Sequence, residues 1–491
     1  MRSIIGIAAA IIILQGLFGA PDGCAQSAKK YLDDGKAAQR AGDHRRAVDL
    51  FSQAIRLGIT DADIFFHRGL AYEKLGDNNQ AMGDYTRAIQ LNPRFSIAYN
   101  NRGSVYYKLG DVEQAVKDLT RAIELNPGYA LAYYNRGNAY NGKGDYAAAV
   151  ADFTQAIKLD PSDPDAYNNR GWAFLENDEP EKSIRDFDRA LQLNPRYTLA
   201  YYNRGNARLI QGDAEGSIRD LSKAIELNPS YALAYFKRGN ALVKKEDLDN
   251  AIKDYGQAVR ISPAHADVYN NRGWAFFRKG NIAQALRDFS KAITLEPRLT
   301  KAYNNRGLVL KNSGNCVKAM DDFNHTLKLD PNQPEVYAQR GACYLEMNRP
   351  KEAMADLDRA ASLAYEDPET LLVLGRLKEQ SGDYEAAAKV LSKLVSLGHD
   401  RAELHLNLGI ALGKAGRYAE AIKELTRAIE LNPQDPQAFI SRGTAFEFLG
   451  DRNRSRSDFM NAVELEGKGR KSESGREPVN MARLRAIINA R

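Results

Sequence analysis

Asparagine recurs at one fixed spacing, at Asn101, Asn135, Asn169, Asn203, Asn271, Asn305 and Asn407, with Lys237 interrupting the series. A carboxamide both donates and accepts, so amides set at regular intervals can pair with the backbone of an extended peptide. Three residues further on in the same register stand Asn138, Trp172, Asn206, Asn240 and Trp274, and one residue before it stand Tyr134, Tyr202 and Phe236. Amides would hold the peptide backbone while rings cover its apolar side chains, with little demand on sequence. The competing reading of the asparagines is a solvated face. Trp172 and Trp274 also have a second explanation, because each lies in an identical heptapeptide, Asn168–Phe174 and Asn270–Phe276, which points to duplication of a block. No glycine-rich phosphate loop, nucleophile elbow or paired metal motif accompanies these residues. The six histidines are scattered, with His399 and His405 the only close pair. The expectation is therefore no enzymatic activity, no cofactor and no metal.

Regular spacing of candidate residues requires regular elements beneath them. Glycine recurs every 34 residues from Gly35 and Gly69 through Gly409 to Gly443. Proline keeps the same step from Pro93 to Pro331 and returns at Pro433. With that glycine at place 8 of a 34-place unit, thirteen units run from Ala28 to Gly469, and the asparagine series falls at place 6. Unit three illustrates the grammar. Tyr99, Gly103 and Tyr106 share one face at helical spacing, Gly110 ends that helix, and Asp111 is placed to cap the next. Ala115, Leu119 and Ala122 then line a second helix, which Pro127 stops. Small residues at places 8, 20 and 27 let the helix axes approach, while large ones at 4, 11 and 24 fill the space between them. The aromatic at place 4, present in eleven units, reads as core packing.

A 34-residue period with glycine, alanine, aromatic and proline at set offsets resembles the tetratricopeptide repeat family over about Ala28–Gly467. The resemblance implies an all-α, right-handed superhelical solenoid of thirteen helix-turn-helix repeats whose A helices line a concave groove. The place-6 asparagines further resemble the repeat domain of protein O-linked N-acetylglucosamine transferases, where matching asparagines hold an extended peptide. That likeness stops at the repeats, since only 24 residues follow Gly467. The heat-shock-protein carboxylate clamp of some family members is not reproduced, because Lys237 and Asn240 do not match its offsets. Late units depart from the pattern. Leu371 and His405 replace the place-4 aromatic, and Tyr365 and His399 replace the last proline, so repeats ten to twelve are expected to pack differently.

One departure follows its own rule. The family places leucine at place 7, yet ten units carry arginine there, and the same ten carry aspartate at place 23. Units one, eleven and twelve lack both, with Asp34 and Leu50, Leu374 and Val390, and Leu408 and Glu424. Places 7 and 23 lie at similar heights in an antiparallel helix pair, which predicts an Arg–Asp bridge inside each of the ten repeats.

The ends read differently from the repeats. Arg2, the apolar run Ile4–Phe18 and Gly23-Cys24-Ala25 describe a signal peptide over residues 1–25, cleaved after Ala25. A retained membrane anchor and lipid attachment at Cys24 are the alternatives, and export, most simply to a bacterial periplasm, is common to all three. The three cysteines are too few for a disulfide-stapled scaffold, and a Cys316–Cys343 bridge is the disfavoured reading. Residues 468–478 form a polar basic linker, and Val479, Met481, Leu484, Ile487 and Ile488 give a C-terminal helix over 479–491 an apolar face. That helix reads as a cap on the open end of the solenoid, or as a basic membrane-surface helix. Of the net charge of +6, +5 falls in Lys468–Arg491, so the repeats are close to neutral and nucleic acid is not an expected partner. The composite expectation is an exported, non-enzymatic scaffold that binds a protein or peptide in its groove. A self-associating envelope protein and a targeting subunit for a separate enzyme are the alternatives.

Overall fold

The computed structural model describes residues 22–363 and 365–467, which form 26 α-helices and no strand. The leader up to Pro21, the linker 468–478 and the helix over 479–491 lie outside the described residues. Asp22–Ala25 open the first helix, Asp22–Arg40. No helix among the described residues is long and apolar enough to cross a membrane.

Each repeat is an antiparallel pair of helices, A and B, as the spacing requires. In repeat three the A helix spans Ser96–Lys108 and the B helix Val112–Leu125. Gly110 turns the chain at φ +86, and the Asp111 carboxylate accepts from the Gln114 N–H at 3.2 Å, satisfying a free donor of the first turn. Three repeats make the same left-handed turn without glycine, through Asp178, Glu246 and Asn348.

Packing inside a repeat explains the 34-residue glycine. The place-24 side chain of the B helix is fully buried, as at Phe51, Leu119, Phe153 and Phe289. It packs directly on the place-8 glycine of the A helix. A Cβ on Gly137 would sit 2.8 Å from a Phe153 ring carbon, and one on Gly103 would sit 2.8 Å from Leu119 Cγ. Alanines at places 10 and 20, such as Ala139, Ala115 and Ala149, are also fully buried. The result is an all-α helical repeat solenoid, divided into two compact units at Ile261 and Ser262. Repeats one to seven belong to the first unit and repeats eight to thirteen to the second.

Two sequence expectations hold with refinement and one changes. The place-4 rings pack on the core at its edge: Phe65 and Phe439 are buried, and Tyr99, Tyr133, Tyr167 and Tyr201 are half-buried against the buried clusters. Repeats eleven and twelve do pack differently, through an aliphatic cluster that includes Leu371, Leu391, Leu394, Leu404, Leu408 and Leu425. The cysteine reading is corrected outright, because Cys316 and Cys343 form a disulfide. Place 17 of repeat nine and place 10 of repeat ten meet across the repeat junction, with Cα atoms 5.2 Å apart, inside the span a disulfide needs. Counting cysteines could not show that proximity.

Candidate functional site

All ten Arg–Asp pairs form. In each, Nε and Nη2 of the place-7 arginine donate to the two oxygens of the place-23 aspartate, at 2.5–2.9 Å. Such two-pronged geometry suits the planar guanidinium and not lysine. The aspartate side chains are nearly sealed, at 4–9 % exposure, and the arginines are at 15–26 %. The Asp84 hydrogen bond raises the Arg68 pKa above its ordinary value against the opposing effect of burial.

Two further contacts of these arginines were not legible as a pattern. Each guanidinium lies over the place-4 ring one turn earlier, 5.4–5.9 Å from its centre. Each of these place-4 rings, buried or half-buried, thus carries a cation over its face. The remaining Nη1 donates to place 25 of the preceding repeat in nine cases, including Ser52, Thr86, Thr120 and Asp188. One arginine therefore ties its own two helices together and joins its repeat to the one before.

Where the arginine is missing, other residues take over. In repeat eleven, the buried Lys378 reaches Asp358 at place 25 of repeat ten, at 2.8 Å. In repeat twelve, the ring nitrogens of buried His405 meet Glu424 at 2.7 Å and Asp400 at 3.0 Å, and Arg427 also pairs with Asp400.

Most of the place-6 asparagines are partly engaged by the protein itself. Asn100, Asn168 and Asn270, at place 5, are buried. Each donates to its own place-6 neighbour, Asn101, Asn169 or Asn271, at 3.0 Å. Each also accepts from place 6 of the following repeat, Asn135, Asn203 or Asn305, at 2.9–3.0 Å. Asn169 additionally donates to the Tyr134 hydroxyl and to Asn138. Asn203 is buried at 7 % exposure. Asn240 accepts from the Tyr255 hydroxyl at 2.8 Å. Asn206 is half-buried, and its side chain makes no hydrogen bond among the described residues. The Asn135 and Asn305 oxygens likewise accept none.

The two tryptophans differ despite their identical heptapeptides. Trp172 meets Tyr146 edge-on at 5.8 Å, whereas Trp274 packs on Phe277 and against the cluster of Ala285, Phe289 and Val309. The rings at place 5 are also enclosed: burial raises the pKa of Tyr134 and of Tyr202.

The place-5 asparagines that organise this network, and the exposed residues at place 2, did not stand out in the sequence. Ile97, Leu131, Leu199 and Leu233 are exposed at 39–48 % and share the helical stripe of places 6 and 9. The repeated Asn-Asn pair before Arg-Gly was the available signal for the first. The second had none, since place 2 carries charge in other repeats. Replacing Asn203 by alanine strands the buried Asn168 oxygen, and is expected to cost about 1–3 kcal/mol. Faster hydrogen exchange in the A helices of repeats five and six would register the loss; unchanged exchange would show that the bond carries no stability.

Among the described residues no group of His, Cys, Asp and Glu could hold a metal ion. Tetratricopeptide repeat models match residues 100–198 and 343–402, 266–299, and 378–440, and a further TPR repeat model matches 74–110 and 205–280. No curated protein matches the chain. Solved structures similar to parts of it include YrrB, described as a TPR protein with an unusual peptide-binding site. It is 26 % identical over 38 % of this chain and 95 % of its own, with a TM-score of 0.34. MamA is 27 % identical over 35 % of this chain and 94 % of its own, with a TM-score of 0.32. A tetratricopeptide repeat protein from Parabacteroides merdae is 19 % identical over 51 % and 98 %, with a TM-score of 0.42. The repeated family matches and the helix pairs they fall on show that the chain belongs to the tetratricopeptide repeat proteins, which generally mediate protein–protein interaction.

Proposed function

We propose that this chain is an exported, non-enzymatic scaffold that binds an extended peptide segment of a partner protein on the A-helix face of repeats three to seven. The observation that carries the reading is the pairing of exposed apolar residues at place 2 with amides whose orientation is already set. Leu131, Leu199 and Leu233 offer apolar contact, while Asn135 is held by Asn100 with its oxygen still open to a peptide N–H. Preorientation lowers the ordering cost of binding. Asn101, Asn169 and Asn203 act chiefly as supports in this reading, and Asn206, whose amide no neighbour orients, joins the preoriented Asn135 as a direct contact. In the second unit, Asn305 repeats the arrangement of Asn135, with Asn271 behind it.

Export is supported by the Cys316–Cys343 disulfide, since such bonds persist in oxidising compartments.

The test is crosslinking in the native cell with the chain carrying Leu131→Asp, Leu199→Asp and Leu233→Asp together. Recovery of the crosslinked partner is expected to fall at least about tenfold, the equivalent of 1.4 kcal/mol, with helical content retained. Undiminished recovery by a folded triple variant rejects the site.

A further inference from the structure

The last two repeats carry a surface that the asparagine network does not explain. A cavity of about 410 Å³ lies between their A helices, Ala402–Lys414 and Pro436–Phe448, lined by Ile410, Gly413, Tyr418, Ser441, Thr444 and Phe448 among others. Its origin is visible in the repeat register. Place 12, filled by Tyr107, Leu209 or Phe277 elsewhere, is Gly413 here, and a Cβ there would meet only the Ala421 Cβ, at 3.8 Å. Places 6 and 9 of repeat thirteen are the small Ser441 and Thr444. Place 13, polar in most repeats, is Phe448. That ring is 66 % exposed and stacks on Tyr418 with centres 4.8 Å apart and planes 5° apart. Leu449 beside it is 53 % exposed.

We propose that this cavity is the docking site of the chain's own C-terminal segment, Val479–Asn489. The reach is sufficient. The closing B helix, Arg452–Gly467, carries the chain about 24 Å from the turn next to Phe448. The eleven residues 468–478 can span about 36 Å back. The chemistry matches as well. Met481, Leu484 and Ile488 follow one another at helical spacing, and Arg483 and Arg485 flank them. Glu447, which precedes Phe448 in the chain, is exposed and has no ion-pair partner among the described residues. The wall is mixed, with Gln437, Ser441, Thr444 and a Lys414 already paired with Glu379, and it is the exposed Phe448 and Leu449 next to Glu447 that fit an apolar stripe edged by arginine. The site is separate from the face proposed for the partner peptide and stands or falls independently of it.

Trypsin digestion of the full chain tests the proposal, read as the rate of cleavage after Arg483 and Arg485. Docking is expected to slow that cleavage about tenfold relative to Leu484→Asp, a change outside the repeats that leaves them folded. Gly413→Phe, which fills the cavity, is expected to release the same sites to the same extent, with repeat folding checked by hydrogen exchange. Equal rates in all three chains overturn the proposal. Release by Leu484→Asp with protection retained in a folded Gly413→Phe chain also overturns it, by placing the segment elsewhere. If Gly413→Phe unfolds locally, Phe448→Ser takes its place with the same two outcomes. Protection that strengthens with protein concentration would assign the site to a second copy, against the intramolecular contact inferred here.

Discussion

Replacing Arg136 by alanine is expected to destabilise repeat four by about 3–5 kcal/mol, the cost of leaving one partner of a shielded ion pair uncompensated. Asp152 would be stranded, since its carboxylate is 7 % exposed and Arg136 supplies both of its hydrogen bonds. The Thr120 hydroxyl would lose its donor from the next repeat, and Tyr133 the cation over its ring. In a linear array each repeat contacts only its neighbours, so the damage should be local and strongest in the B helix Tyr146–Leu159. Hydrogen exchange resolved by segment is the measurement. The chain contains its own control: repeat eleven has Leu374 and Val390 at these two places. The double change Arg136→Leu with Asp152→Val is therefore expected to recover all but about 1 kcal/mol, because apolar pairs of similar volume often match a buried ion pair. A cost below about 1 kcal/mol for Arg136→Ala alone would show the pair to be solvated. The ten bridges would then be incidental to the fold.

Removing the disulfide is the second large effect. Converting Cys316 and Cys343 together to serine releases a loop of 27 residues, and chain entropy alone puts the loss at roughly 3.5 kcal/mol. The loss should be confined to the junction of repeats nine and ten, where Cys316, Phe323, Val336 and Cys343 share one buried cluster. Urea unfolding followed by exchange at that junction, with and without a thiol reductant, checks it. Reduction of the unaltered chain should reproduce most of the effect. Identical stability of oxidised and reduced chains would mean that the bridge adds nothing to repeat stacking.

Sequence by itself determined what happens inside a repeat. Gly103 with Leu119, Gly110 with Asp111, and Arg102 with Asp118 all lie within one 34-residue unit, where two helices and a short turn leave little freedom. Their spacing is enough to place them, so the helix pairs and all ten bridges are legible in the sequence alone. Tertiary structure decided what passes between repeats. The arginine Nη1 bond to place 25, the turn of Asn135 toward Asn100, and the Cys316–Cys343 bond join residues 16, 35 and 27 apart across a repeat junction. Their geometry depends on how one helix pair is rotated on the next, which a periodic sequence states identically for every plausible stacking. The same reason separates the asparagines. Asn203 and Asn135 both donate to the place-5 asparagine of the preceding repeat, yet Asn203 is buried and Asn135 half-buried, because burial there depends on the neighbouring repeats as well as on a residue's own register.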